Sequence, residues 1–191
     1  MKVGEREEGD VLKGLAAGLV AGLAAAWTMN QFQSAWSRLA EGEERSHGAQ
    51  SLQQGSPQHG VGGELRSEGK DSEQDDAAER LANAVSVATL DHELTEGEKE
   101  TAGTAFHYAM GATSVALYGA VAEIIPEVKA GAGLPFGAAV WLIADEGIVP
   151  AVGLSKSPTE YPLSIHAYAF TSHLVFGLTA EIVRRAMRSV M

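Results

Sequence analysis

The amino-acid sequence predicts an all-α fold, namely an integral membrane helical bundle with four transmembrane helices and one amphipathic surface helix. Three stretches of 20 or more residues contain no Asp, Glu, Lys or Arg, and they are Gly14–Ser37, Thr101–Ala122 and Tyr161–Ala180. A fourth apolar stretch, 130–155, is interrupted only by Asp145-Glu146. A helix needs about 20 apolar residues to cross the hydrocarbon core of a bilayer, so each stretch is predicted to cross once.

Residues 1–37 are predicted to form a cytoplasmic N-terminus and the first transmembrane helix. Gly14, Gly18 and Gly22 recur there at four-residue spacing. Each would cost about 1 kcal/mol relative to alanine in a soluble helix, whereas in a membrane the spacing gives a flat face for close helix packing. This face predicts a homo-oligomer or another membrane protein as partner. A plain anchor and a signal peptide cleaved after the small residues Ala24-Ala25-Ala26 are the alternatives.

Residues 38–76 and 77–94 form the polar part of the chain. The first range is rich in Gly, Ser and Gln and poor in apolar residues, which predicts a disordered, acidic extracytoplasmic loop. The second range has apolar residues at helical spacing but is too short to span a bilayer. It predicts an amphipathic helix on the membrane surface or on the bundle, and a short solvent-exposed helix is the alternative.

Residues 95–191 are predicted to form a three-helix membrane region with a basic cytoplasmic C-terminus. Thr95 is followed three residues later by Glu98, a capping-box pattern that starts the second transmembrane helix. Pro126 ends that helix, which makes Ile125 its last residue. The remaining boundaries follow from prolines and from the last apolar stretch: the third helix runs from near Gly133-Leu134-Pro135 to Pro150, and the fourth from about Leu163 to Arg188.

The orientation follows from Arg184, Arg185 and Arg188, which come directly after the last apolar stretch. Basic residues that flank a span tend to stay in the cytoplasm. An even number of crossings then places both termini in the cytoplasm. The chain is therefore predicted to be a multi-pass protein of the inner (plasma) membrane.

Composition excludes several classes of partner and cofactor. The net charge of −11 argues against nucleic acid as a partner, whereas the apolar stretches make the lipid bilayer the expected partner. No cysteine is present, so neither a disulfide nor a thiolate metal site is possible. The sequence carries no phosphate-binding loop, dinucleotide fingerprint or nucleophile elbow. It therefore predicts no cofactor and no catalytic residues.

Ionisable residues inside the predicted spans are the candidate functional residues, because such residues are costly in a bilayer and usually face protein or water. The predicted polar layer near the extracytoplasmic end comprises His107, Asp145, Glu146 and His166, with His173 about midway. The predicted inner-face charges are Glu123, Glu181, Arg184 and Arg185. His173 is expected to face the bundle interior and to contact the second helix near Gly111 or Ser114.

Three interpretations of these residues stay open. In the first they are structural: the histidines bond to neighbouring helices and Glu181 pairs with arginine. In the second they form a proton or solute path, since histidine titrates near neutral pH. In the third His107, His166, Asp145 and Glu146 are weak candidate ligands for zinc or iron, which would make the protein a membrane-embedded metal-dependent enzyme. The chain has no HExxH motif, and the predicted spans contain no Glu-x-x-His pair to support the third interpretation.

Three segments resemble the YagU-like family of uncharacterised bacterial inner-membrane proteins. They are "YGAVAEIIPEVKAGAG" (Tyr118–Gly133), "VPAVGLSKSP" (Val149–Pro158) and "SHLVFGLTAEIVRRAMR" (Ser172–Arg188). The similarity covers roughly His107 to Arg188, and the acidic loop departs from it. The resemblance implies an integral inner-membrane protein with a suggested link to acid tolerance. The expectation is a small membrane protein without enzyme activity, acting as a proton or solute path or in acid stress.

Overall fold

The all-α prediction is confirmed by a computed structural model that describes residues 3–47, 77–155 and 157–191. These residues form helices and turns and no strand. The helices are α1 (Val3–His47), α2 (Ala77–Leu90), α3 (Glu96–Ile124), α4 (Leu134–Ile143), α5 (Val149–Ala151) and α6 (Leu163–Val190). A π-helical turn, Ala144–Ile148, joins α4 to α5, and 3-10 turns occupy Pro126–Lys129 and Pro158–Glu160.

Helix α1 is longer than the sequence pattern predicted. It continues to His47, so the prediction that a disordered loop begins at residue 38 is wrong for 38–47. This segment is rich in Ala, Glu, Arg and Leu and contains no proline, and these residues favour helix wherever a helix already precedes them. The rest of the predicted loop, 48–76, lies outside the described residues.

Helix α3 begins at the capping residue that the sequence indicated. The Glu98 carboxylate accepts hydrogen bonds from the Thr95 backbone N–H at 2.8 Å and from the Thr95 hydroxyl at 2.7 Å. The backbone hydrogen bond from Thr95 is the main cause of the lowered pKa of Glu98. At its other end α3 stops at Ile124, because Pro126 lacks an N–H and starts a 3-10 turn.

The third apolar stretch is not a regular α-helix along its whole length. Gly131, Ala132 and Gly133 have positive φ angles of 77°, 54° and 85°, and this left-handed segment leads into α4. At Asp145-Glu146 the helix widens into the π-helical turn before α5. The π-helix is rare, occurs mostly as a single turn inside an α-helix, and is frequent at functional sites.

The chain divides into two compact units. The first unit consists of the described residues of Met1–Met29, Tyr108–Ile143 and Phe170–Met191. The second consists of the described residues of Asn30–His107 and Ala144–Ala169. The core of the first unit is built largely from alanine and aromatic side chains: Ala21, Ala25, Ala26, Met29, Val115, Tyr118, Phe176 and Ala180. Small side chains let helix backbones approach closely.

Residue pairs within the first unit define the directions of its helices. Gly14 lies against Gly119 and Gly22 against Gly111, so α1 and α3 are antiparallel. Tyr118 bonds Glu181 and Glu123 bonds Arg188, so α3 and α6 are parallel. Gly133 lies against Gly177 and Glu181, and Gly137 against the carbonyl of His173, so α4 and α6 are antiparallel.

Two helical segments of the described chain are long and apolar enough to cross a membrane, judged by length and composition. They are Asp10–Leu39 and Leu134–Ala151. Only 6% of the second segment's apolar window is buried within the protein, against 39% for the first. Thr101–Ala122 and Tyr161–Ala180 do not meet the same criterion, because they contain Gly, Ser, Thr, Tyr and His. A membrane protein is therefore indicated weakly, with two candidate spans.

Candidate functional site

The first unit contains six charged side chains at the C-terminal end of α6, here termed the charge cluster: Asp10, Glu123, Glu181, Arg184, Arg185 and Arg188. Residues three, four and seven positions apart share one face of a helix, and this spacing aligns the last four members on α6. Asp10 comes from α1 and Glu123 from α3. Three helices therefore meet through three arginines and three carboxylates, whose formal charges cancel.

Glu181 is the centre of the charge cluster, and its side chain is only 1% exposed. It accepts hydrogen bonds from Arg184 Nε at 2.7 Å and Nη2 at 2.9 Å, from Arg185 Nε, and from the Tyr118 hydroxyl at 3.0 Å. A carboxylate has about four lone-pair positions. The Glu181 carboxylate therefore has an acceptor position for each of these four donors.

The other carboxylates of the charge cluster pair with the remaining guanidinium nitrogens. Glu123 accepts from Arg188 Nε at 2.8 Å and Nη2 at 3.0 Å, in the two-pronged geometry that suits guanidinium. Arg184 Nη1 lies 3.5 Å from Glu123, and Arg188 Nη2 lies 3.5 Å from Asp10. The cluster therefore joins α1, α3 and α6 at one end.

The hydrogen bonds in the charge cluster favour its charged form. Burial disfavours a charge on Glu181, but Arg184, Arg185 and Tyr118 fill its acceptor positions. Arg188 is held by two hydrogen bonds to Glu123. This arrangement is suited to stability rather than to proton exchange.

The three glycines singled out in α1 lie against α3. A Cβ on Gly18 would collide with the backbone of Val115 and Ala116, and one on Gly22 with the backbone of Ala112. This face of α1 is therefore filled by α3 of the same chain. A partner chain would have to use another surface of the protein.

A second glycine contact was missed by the sequence analysis. A Cβ on Gly137 or Gly177 would collide with backbone atoms of the other helix, and one on Gly133 would meet the Gly177 carbonyl. Gly133 and Gly137 have the same four-residue spacing as the glycines of α1. That spacing was the available signal for close packing between α4 and α6.

His173 is buried in the first unit. Its ring stands edge-on to that of Phe176, with 6.4 Å between centroids. Gly111 faces Ala26 and Phe176. The expected contact of His173 with Gly111 or Ser114 stays a prediction.

The second unit brings two residues of the predicted polar layer together. His166 Nδ1 lies 2.6 Å from Glu146 Oε1, and His166 Nε2 lies 2.9 Å from the Pro158 carbonyl oxygen. The side chains of His166 and Glu146 are 20% and 15% exposed. Glu146 comes from the π-helical turn, His166 from the first turn of α6, and the ring of Tyr161 stands edge-on to the imidazole at 6.4 Å.

The two short distances at His166 fix how many protons the His166–Glu146 pair holds. A carbonyl oxygen only accepts, so Nε2 must carry a hydrogen. One more proton is then needed between Nδ1 and Glu146 Oε1. It lies either on the imidazole or on the carboxyl group, because without it two lone pairs would face each other at 2.6 Å. The geometry is therefore that of a pair that shares one proton.

His107 and Asp145, the other predicted members of the layer, are half-buried in the second unit. In the described part of the chain, no three His, Cys, Asp or Glu residues form a group that could hold a metal ion. The metal-site alternative thus has no geometric support in those residues. The Pro158 carbonyl was missed by the sequence analysis, since a backbone acceptor has no residue signature, although the prolines of "SKSPTEYP" do mark a turn.

These observations define a class: an all-α protein with two candidate membrane spans and buried ionisable side chains. Within that class, the chain belongs to the DUF1440 family, described as proteins of unknown function, whose model matches residues 67–182. The match confirms the resemblance to the YagU-like family. It begins well before His107 and ends before Arg184, so it includes α2 and leaves out α1 and the terminal arginines. No curated protein and no solved structure matches the chain significantly.

Proposed function

We propose that this chain is a four-span protein of the bacterial inner membrane with both termini in the cytoplasm, and that it provides a path for protons rather than an enzyme reaction. The His166–Glu146 pair is its proton-binding step. The observation that carries the proposal is the 2.6 Å approach of His166 Nδ1 to Glu146 Oε1. Such an approach needs a shared proton, and histidine is the side chain that exchanges protons near neutral pH.

The helix directions within the first unit support four crossings. Helix α1 is antiparallel to α3, α3 is parallel to α6, and α4 is antiparallel to α6. A chain that crosses a membrane four times reverses its direction at each crossing, so the first and third spans run one way and the second and fourth the other. These directions agree with that pattern.

The exposed side chains of the helices support contact with lipid. Large apolar residues are exposed on each long helix, among them Leu19 and Leu23 on α1, Leu117 on α3, Leu142 on α4 and Ile182 on α6. Leu134–Ala151 is about 27 Å long at 1.5 Å per residue, which matches the hydrocarbon thickness of a bilayer. In water so much exposed apolar surface would favour aggregation.

Aromatic and basic residues support the orientation. The Trp36 ring lies tilted against those of Phe32 and Tyr168, with centroid distances of 5.7 Å and 6.0 Å, as expected of an aromatic belt at a membrane interface. Asp10, 26 residues before Trp36 on α1, lies in the charge cluster beside Arg188. Arginines near a span favour the cytoplasmic side. Trp36 then belongs to the extracytoplasmic interface.

Reporter fusions test the topology. A reporter that is active only in the cytoplasm should be active when fused at Met191. A reporter that is active only in the periplasm should be active when inserted at Gly60. A reporter at Met191 that is active in the periplasm would overturn the orientation. Activity of both reporters on the same side would overturn the three crossings proposed between Gly60 and Met191.

A flux measurement tests the proton path. The purified protein is placed in lipid vesicles that contain a pH-sensitive dye, and a pH step is applied from outside. Wild-type vesicles should equilibrate faster than empty vesicles, and vesicles with Glu146→Gln should not, because the amide cannot share a proton with His166 in the same way. Arg185→Gln, at an exposed side chain of the charge cluster, serves as the matched control and should keep the wild-type rate. Wild-type vesicles as slow as empty ones would contradict the proposal.

A further inference from the structure

The turn before α6 contacts the Nε2 edge of the His166 ring. The Pro158 carbonyl accepts from His166 Nε2 at 2.9 Å and from the Tyr161 backbone N–H at 3.3 Å. The turn is itself closed by two hydrogen bonds between the same two residues: Glu160 N–H donates to the Ser157 carbonyl at 2.9 Å, and Ser157 N–H donates to Glu160 Oε1 at 3.2 Å. Glu160 is exposed and does not touch the imidazole in any of these contacts.

We infer that the Pro158–Glu160 turn is a positioning element that keeps the hydrogen of His166 on Nε2, so that the one exchangeable proton of the site lies between Nδ1 and Glu146. This inference rests on the proposed role of the His166–Glu146 pair and deepens it. A neutral imidazole has two tautomers, and the hydrogen bond made by one nitrogen decides which is present. Here a fixed carbonyl acceptor selects the tautomer with hydrogen on Nε2.

The consequence for proton exchange follows from the remaining nitrogen. With Nε2 occupied, Nδ1 is the only ring atom that can gain or lose a proton, and it faces Glu146 rather than open solvent. When the shared proton leaves, the lone pair of Nδ1 faces a carboxylate oxygen, and the pair must separate. Tyr161, the other titratable side chain seen to face the ring, stands edge-on to it.

Glu160 is the positioning residue to change, because it acts on His166 only through the turn. Glu160→Ala removes the acceptor of the Ser157 N–H and loosens the Pro158 carbonyl. Glu160→Gln is the conservative variant, since its amide oxygen can still accept from Ser157 N–H. Neither variant alters His166, Glu146 or the chemistry of the shared proton.

The experiment is nitrogen-15 NMR of the full-length protein in lipid nanodiscs with labelled histidine side chains, with the His166 signals identified by their absence in His166→Gln. Wild type should show neutral His166 as the Nε2–H tautomer. Glu160→Ala should raise the proportion of the Nδ1–H tautomer by about fivefold, the equivalent of one lost neutral hydrogen bond, and Glu160→Gln should restore the wild-type ratio.

Two results would overturn the inference: a wild-type protein whose neutral His166 is mainly the Nδ1–H tautomer, or a Glu160→Ala variant with an unchanged tautomer ratio. Either result is separable from the flux measurement, because the tautomer is read in protein that need not carry protons across a membrane. If flux is absent but the tautomer behaves as expected, the proton path fails and the positioning role stands. If flux is present but the tautomer ratio does not change, the positioning role fails alone.

Discussion

The charge cluster around Glu181 and the His166–Glu146 pair use similar side chains in different ways. In the charge cluster one carboxylate accepts hydrogen bonds from Arg184, Arg185 and Tyr118 and is 1% exposed. In the pair one carboxylate meets one imidazole, and both side chains keep 15–20% of their surface exposed. In the charge cluster all hydrogen bonds to Glu181 form while the carboxylate and the arginines are charged. In the His166–Glu146 pair the hydrogen bond forms only while the pair holds a proton that it can lose.

The difference teaches which buried ionisable residues to assign to function. Guanidinium groups stay charged at all accessible pH values, so a carboxylate filled by arginines has no proton to exchange. Such a cluster is expensive to desolvate and repays that cost only while every partner is present. Imidazole changes charge near neutral pH. We therefore expect the charge cluster to act in stability, and we propose the pair for proton exchange.

Removing Arg184 should have the largest effect on stability. Arg184→Leu leaves Glu181 buried without two of its hydrogen bonds, and breaking a buried ion pair from one side costs about 3–5 kcal/mol. Arg185→Leu is the matched control: this arginine pairs with the same carboxylate, but its side chain is 57% exposed, so its loss should cost under about 1 kcal/mol. Thermal unfolding in detergent measures both variants. Equal losses would remove the distinction between buried and exposed partners.

The glycine contact between α1 and α3 gives the next largest effect. Gly18→Ala should destabilise the protein by about 1–3 kcal/mol, the usual range for overpacking, because the new Cβ collides with the Val115 and Ala116 backbone. Gly18→Leu should be worse. Gly97→Ala is the matched control, since a Cβ there has no atom within 4 Å, and alanine is the better helix former. A Gly18→Ala variant as stable as Gly97→Ala would reduce α1 to a plain anchor.

Acid should act on the charge cluster through Glu181, which follows the fourth apolar stretch. Its carboxylate accepts hydrogen bonds from Arg184, Arg185 and Tyr118 in the folded protein, and protonation weakens them. The stabilisation is therefore present while the carboxylate is charged and is lost as the pH falls into acid. Unfolding midpoints measured from neutral pH into acid should fall less steeply for Glu181→Gln than for wild type. Glu127→Gln, at an exposed carboxylate, should keep the wild-type slope. A Glu181→Gln slope equal to wild type would count against this assignment.

His173 should have a smaller effect. His173→Leu should preserve membrane insertion and cost about 0.6 kcal/mol, the mean for an interhelical hydrogen bond in a membrane. His173→Lys should be more destabilising, because it buries a charge. Unfolding in detergent compares the two variants. If neither changes stability or flux, His173 has no part in an interior polar chain.

The sequence predicted those structural features that are caused by residues close together along the chain. The all-α fold and most helix ends were predicted from the apolar stretches, Thr95 and Pro126. Helix capping and the effect of the proline ring each depend on only a few neighbouring residues. The arginines three and four residues after Glu181 predicted its partners for the same reason. The orientation and the four crossings stay predictions.

The missed features depend on contacts that are distant in sequence or on the backbone. The approach of Gly133 and Gly137 to Gly177 needs two helices to meet, and the Pro158 carbonyl that binds His166 has no side-chain signature. The π-helical turn at Asp145-Glu146 was read as a continuous helix, because hydropathy does not register one extra residue per turn. The helical extension of α1 to His47 is not visible in hydropathy, because its residues are polar although they favour helix.

Proton uptake by the purified protein tests the central claim most directly. Protons bound per chain are measured as the pH is lowered from about 8 to about 5, the interval in which histidine is the side chain that changes charge. The account predicts that His166→Gln takes up about one proton fewer than wild type, and that Glu181→Gln takes up as many as wild type, because the charge cluster does not titrate there. Uptake by His166→Gln equal to wild type, or a proton lost in Glu181→Gln instead, would contradict the account.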